Sequence, residues 1–228
     1  MPQTVASGSH RTTASLGYRI VFVVAIVIAV AFGILTDAGT GLFEEGGAVE
    51  RAQIGLWICT ALIAAAASLR TLRRPDRAAV FLLGVLATVA AARELDAHIY
   101  LNPETLGDYG VRYRIDWWLD GAVNPLLKLA WAAAALAVLL LLAVPAFMAR
   151  STIWRVLVTR PRAFWLGLAA ALCLATGFAV DDLLRGRIEI HLAHAIEESV
   201  ELIGPAFYLA GLLALYAHAA ARRSRADN

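Results

Sequence analysis

One lysine (Lys128), two cysteines and two methionines stand in 228 residues, and the chain has no glycine-rich phosphate loop, no internal repeat and no basic run interleaved with aromatics. Each absence excludes something. Cys59 and Cys173 each fall midway along an apolar run, so a disulfide framework or a cysteine-based metal site is not expected, and both read as packing residues. Without basic stretches bearing aromatics there is no footprint for nucleic acid, and no nucleic-acid partner is expected. Charge is scarce as well. Only 17% of residues are charged against 60% hydrophobic, outside the range of an ordinary soluble domain, and no hydrophilic stretch is long enough to fold separately.

What is present is six apolar runs, each near the ~20 residues a membrane helix needs. They cover Ile20–Leu35, about Ala52–Leu69, about Ala78–Tyr100, Asn124–Pro125 to about Met148, Ala163 to about Leu184, and His191 to about Ala221. Asn102–Pro103 closes the third, because the residue before a proline leaves the helical region. Asn124–Pro125 opens the fourth as an N-cap with proline at the first helical position. The fold class expected is therefore all-α, a polytopic membrane protein built as a bundle of six transmembrane helices. Residues 1–18 form a disordered tail in this reading, 19–221 the six-span domain and 222–228 a second tail. Residues 1–38 would also resemble a signal peptide, but the apolar core is long for that role and no Ala-x-Ala site follows. Faces rich in small residues (Ala64–Ala67, Ala132–Ala135, Gly167–Ala171) are expected to pack closely against neighbouring helices.

Arginine distribution gives the orientation. Arg70, Arg73, Arg74 and Arg77 fill the second connection, and Arg150, Arg155, Arg160 and Arg162 the fourth. Arg222, Arg223 and Arg225 follow the last span, and Arg11 and Arg19 precede the first. Of the 18 acids only Asp76 and Asp227 share that side. Both termini are expected to be cytoplasmic in a multi-pass inner (plasma) membrane protein.

The acids on the other side are the informative residues. Ionisable groups inside a bilayer cost roughly 2.5–3.5 kcal/mol each on insertion scales, so a cluster of them calls for a function. In the third span Glu94 and His98 are four apart and share a face, with Asp96 pointing away. In the last span His191, His194, Glu198 and Glu201 follow spacings of three, four and three and make one stripe, from which Glu197 is displaced by roughly 100°. Glu94 lies ~9 Å from the outer end of its helix and Glu201 ~15 Å into its own, so the two stripes overlap in depth. Glu50 heads the second span, and Asp181 and Asp182 end the fifth.

Carboxylates and imidazoles projecting inward from several helices are how metal centres are built into bundles. The expected ligands are Glu94, His98, His194, Glu198 and Glu201, then Glu50 and His191, for a divalent metal (iron, zinc or manganese). The pattern lacks the doubled Glu-x-x-His of di-iron bundles. Glu197 or Asp96, left free of the metal, would be the catalytic general base of an enzyme acting on a membrane lipid or other hydrophobic substrate. Four alternatives stand beside this. Arg51, Arg93 and Lys128 could neutralise some of the acids in an ion-pair network. His98 with His191 or His194 could hold a haem, although no propionate anchor accompanies them. The site could serve a proton- or cation-coupled transporter, or the protein could be a non-catalytic assembly subunit. Gly204–Pro205 frees the Glu201 carbonyl and would kink the last span, or be tolerated there as proline often is in membranes. The connection between spans three and four, with Tyr109, Tyr113, Trp117 and Trp118, reads as a short interfacial helix or a lid.

Overall fold

A computed structural model describes residues 9–36, 41–44, 46–70, 72–95, 97, 115–184 and 190–224, with side chains described at 17–36, 41–44, 46–70, 72–95, 97, 117–180 and 195–224. These residues form helices α1 (Ser9–Thr36), α2 (Ala48–Ser68), α3 (Arg74–Glu94), α4 (Ile115–Leu119), α5 (Pro125–Thr159), α6 (Arg162–Leu184) and α7 (Ile190–Ser224), with no strand among them. All but the five-residue α4 are long and apolar enough to cross a membrane. The protein is an all-α, multi-pass membrane bundle.

Local chemistry sets the helix boundaries. The Asn124 side chain accepts from the Leu126 amide at 2.9 Å and Pro125 opens α5, the cap expected from the sequence. Two residues, Arg160 and Pro161, turn α5 into α6, with Arg160 in the left-handed region (φ 43°) and its amide bonded to the Val156 carbonyl at 3.0 Å. α1 starts at Ser9, inside the stretch expected to be a disordered tail. α3 ends at Glu94, with Leu95 as its cap. The Leu95 amide bonds the Ala91 carbonyl at 3.0 Å and closes the last turn there. His98, expected on the face of Glu94, lies outside the described residues.

α2 is the centre of the bundle, packed by α1, α3 and α7, while α5 leans on α3 and α6 on α7. α2, α3 and α7 are the most buried helices, and α1, α5 and α6 present most of their apolar surface outward. Close approach depends on small residues, as it must where lipid supplies no hydrophobic drive between helices. Ala64 is fully buried on α2, and a Cβ added at Gly84 of α3 would lie 2.8 Å from its side chain. Ala170 is buried, and the Gly167 amide lies beside Gly211 of α7. The Ala132–Ala135 stretch does not pack. Ala132, Ala133 and Ala135 are exposed, because α5 touches the bundle mainly along α3.

Two sets of contacts define the ends. At one, Asp76 of α3 meets Thr152 and Arg155 of α5 and Arg222 of α7. At the other, the starts of α2 and α7 approach the end of α3. α7 passes through the fully buried Pro205 as one helix, so proline is tolerated here rather than dividing the span. α5 and α7 have 35 residues each, ~52 Å at 1.5 Å per residue, and outrun a ~30 Å hydrocarbon core. Their excess carries Arg155 and Arg222 to Asp76.

Candidate functional site: a carboxylate cluster at one end of the bundle

The first turn of α2 is fixed by Glu50. Its carboxylate accepts from the Gly46 amide, ahead of the N-cap Gly47, and it places a negative charge at the positive end of the helix. Gly46 takes φ 78°, a conformation a glycine adopts without strain. Arg51 donates from Nε to the Gly46 carbonyl at 2.8 Å. Glu50 thus has a capping role whatever else it does.

One and two turns deeper on the same face of α2 come Gln53 and Trp57, spaced three and seven residues from Glu50. α7 runs in the same direction beside α2 and presents Glu198 and Glu201. Gln53 is fully buried, and its Nε2 lies 3.5 Å from Glu201 Oε2. Glu201 also lies against α6, where a Cβ on Gly177 would come within 2.7 Å of its Cγ. Glu198 is half-buried, and Glu50, Glu201, Glu197 and Glu94 are all near enough for their charges to act on it. Glu94 is the last residue of α3, with its side chain only 14% exposed, and Arg93 pairs with it at 3.5 Å. That arginine is 71% exposed, so the pair contributes at most about 1 kcal/mol.

The structure therefore brings Glu50, Glu94, Glu197, Glu198 and Glu201 to one place from α2, α3 and α7. His191 and His194 lie on the first turns of α7 with their side chains outside the described set, as are those of Asp181 and Asp182 at the end of α6. Asp96 and His98 are outside it altogether. Among the described residues no three His, Cys, Asp or Glu side chains converge closely enough to hold a metal by themselves.

The ion-pair alternative can be read residue by residue. Arg51 is committed to a carbonyl. Lys128 donates to the carbonyls of Trp118 and Asp120, at 2.9 and 2.6 Å, and ties α4 to α5. Of those three cations, Arg93 is the one paired with a carboxylate of the cluster among the described residues. Three buried polar atoms beside the cluster have no hydrogen-bond partner there: Gln53 Oε1, Trp57 Nε1 and Glu198 Oε2. Each such atom costs roughly 1–3 kcal/mol. Trp57 is held edge-on to Tyr208 of α7 at 5.2 Å, and the Tyr208 hydroxyl donates to the Leu83 carbonyl at 2.8 Å. Beyond Tyr208 the buried face of α7 is apolar, through Leu209, Leu212, Leu213 and Leu215. The polar column thus enters from the acidic end and stops part-way.

Gln53 and Gly177 are absent from the sequence-derived site. A neutral amide in an apolar run has no charge to draw notice, although its three-residue spacing from Glu50 was a usable signal. Gly177→Ala is expected to destabilise the bundle by about 1–2 kcal/mol by driving Glu201 from its place. In a Glu201→Ala background the same change should cost almost nothing, because its collision partner is gone. Thermal midpoints of the two single variants and the double variant in detergent give the coupling; additive losses would show that Gly177 does not act through Glu201.

No protein-family model, curated protein or solved structure matches this chain.

Proposed function

We propose that this membrane protein is a metalloprotein of the inner membrane, with both termini cytoplasmic, that uses a divalent metal at its acidic end to act on a lipid or other hydrophobic substrate. The observation that carries the reading is Glu198, whose carboxylate Oε2 is without a hydrogen-bond partner and sits among four further carboxylates, of which Glu94 is paired with the exposed Arg93. So much negative charge in one half of a bilayer needs protons, water or a cation to balance it. A metal is the agent that also uses the imidazoles, since His191 and His194 precede Glu198 and Glu201 on the same stripe of α7. The ligands in this reading are Glu94, His98, His194, Glu198 and Glu201, with Glu50 and His191 behind them. When bound, the metal would supply Lewis-acid or redox chemistry, and Glu197 or Asp96 would take the proton.

Substrate access has a structural rationale. α5 and α6, although joined by two residues, pack on different partners and touch each other little. The bundle can therefore admit a hydrophobic molecule from the bilayer between them. The orientation rests on the arginines, which crowd the end where Asp76 lies.

Metal content of the purified protein tests the reading. Wild type, reconstituted with iron, zinc or manganese, is expected to hold one equivalent, and Glu94→Ala and His194→Ala are expected to lose it. Wild-type protein that retains none of the three under any reconstitution would sink the proposal. A transporter reading draws less support, because the polar column ends at Tyr208 with an apolar half beyond it.

A further inference from the structure

We infer that Gln53, Glu198 and Glu201 form an oxygen-lined site for a hard divalent cation of the manganese or magnesium type, with the Gln53 carboxamide oxygen as a ligand. The inference rests on the metal reading of the acidic end and narrows it, from a mixed Glu/His centre to one whose inner donors are oxygens.

Three observations meet on these residues. Gln53 is fully buried, donates from Nε2 to Glu201 Oε2 at 3.5 Å and leaves the Oε1 of the same carboxamide without a partner. Glu198, one turn above Glu201 on α7, leaves Oε2 without a partner. Gly177 of α6 lets Glu201 pack directly against its backbone, where a Cβ would stand 2.7 Å from the Glu201 Cγ. A buried amide oxygen and a carboxylate oxygen that both lack donors call for the same thing, a positive centre, and Glu201 is the neighbour common to both. Among the described residues Arg51 and Lys128 hold carbonyls and Arg93 lies on Glu94 at the rim. Two carboxylates match the charge of a divalent ion. Two carboxylates with one amide carbonyl are a donor set that suits manganese or magnesium, ions that take oxygen ligands and retain waters to complete their shell. A grouping of two acids and one amide is also consistent with the described residues, among which no three acidic, histidine or cysteine side chains close on one point.

The test uses full-length protein purified in detergent, stripped with a chelator and titrated with Mn²⁺, free ion being read by electron paramagnetic resonance and folding by circular dichroism. Wild type is expected to bind one Mn²⁺. Gln53→Leu, close in volume but without the oxygen, should weaken binding at least about tenfold. Gln53→Glu should retain it. Gln53→Asn, which withdraws the oxygen by one methylene while keeping the amide, should also weaken it and serves if the leucine variant does not fold. If Gln53 were only a packing residue, leucine would remove a buried orphan acceptor and stabilise the protein without changing Mn²⁺ affinity, and that result overturns the inference. Zinc or iron binding that is lost in His194→Ala yet indifferent to Gln53→Leu would overturn it while leaving the broader metal reading intact. Wild type that binds no metal ends both. Mn²⁺ binding lost in Gln53→Leu and unaffected by His194→Ala supports the oxygen site and removes the histidine from the ligands.

Discussion

Replacing Asp76 by alanine is expected to destabilise the bundle by about 3 kcal/mol, measured by unfolding in mixed micelles. Asp76 is 2% exposed and sits where α3, α5 and α7 meet. The Thr152 hydroxyl donates to its Oδ1 at 2.7 Å, Arg155 stands 3.5 Å from the same oxygen, and Arg222 donates to Oδ2 at 2.7 Å. Removing one partner of a buried pair costs roughly 3–5 kcal/mol, because the charge left behind has lost its counterion. The arginine side chains are 32% and 26% exposed, so water can take over part of their solvation, which sets the value at the low end. Asp76→Asn keeps an acceptor for Thr152 and gives up the charge, and should fall between alanine and wild type. Thr152→Val removes one hydrogen bond and should cost about 1 kcal/mol. A loss below about 0.5 kcal/mol in Asp76→Ala would mean the three helices are held together by packing alone. The network has a structural purpose in this bundle: α5 meets little besides α3, and its apolar surface faces outward over most of its length, so a polar tie anchors its far half.

The contrast between the two ends explains what could be read from the chain. Six spans were legible because apolar runs of membrane length follow from hydrocarbon thickness alone, and the Asn124–Pro125 start of α5 followed from capping chemistry. Gathering Glu50, Glu94, Glu198 and Glu201 at one end required only up-and-down topology. Helix ends were harder. The third apolar run continues beyond Glu94 in composition, but its helix closes at Leu95, and hydropathy has no term for a terminal turn. Ala132–Ala135 shows the converse failure: small residues permit close packing without requiring it, and α5 turns this face away from the bundle. Asp76 was visible as one acid among arginines, a placement that orientation rules treat as charge counting. Its burial and its three partners depend on α5 and α7 extending past the membrane core to reach it, which no local pattern encodes. Gln53 was missed for a related reason. Its significance lies in facing Glu201 across a helix interface, and sequence shows only that it shares a face with Glu50.

Gly33→Ala is the second change expected to be severe, with a loss of about 3 kcal/mol or more for a single methyl group. Gly33 is buried in α1 where that helix leans on the start of α2. A Cβ there would overlap the Ala48 carbonyl oxygen and stand 2.9 Å from the Ala52 amide nitrogen. Both neighbours are backbone, so no rotamer change relieves the collision and the helices must separate. Overpacking in a core usually costs about 1–3 kcal/mol, and a rigid backbone neighbour places this case at or beyond the top of that range. Separation at this point also reaches the carboxylate cluster. Ala48 is the first residue of α2, and its turn carries Glu50, whose carboxylate holds the Gly46 amide. Tilting that turn would shift Gln53 relative to Glu201 as well. Gly33→Ala should therefore lower both the unfolding midpoint and the affinity of the proposed site for Mn²⁺. A control on the open side of the same helix, Ile34→Ala at 65% exposure, should leave Mn²⁺ binding unchanged. If Gly33→Ala folds with wild-type stability, α1 is free to move away from α2, and the cluster then depends on α2, α3 and α7 without support from the first span.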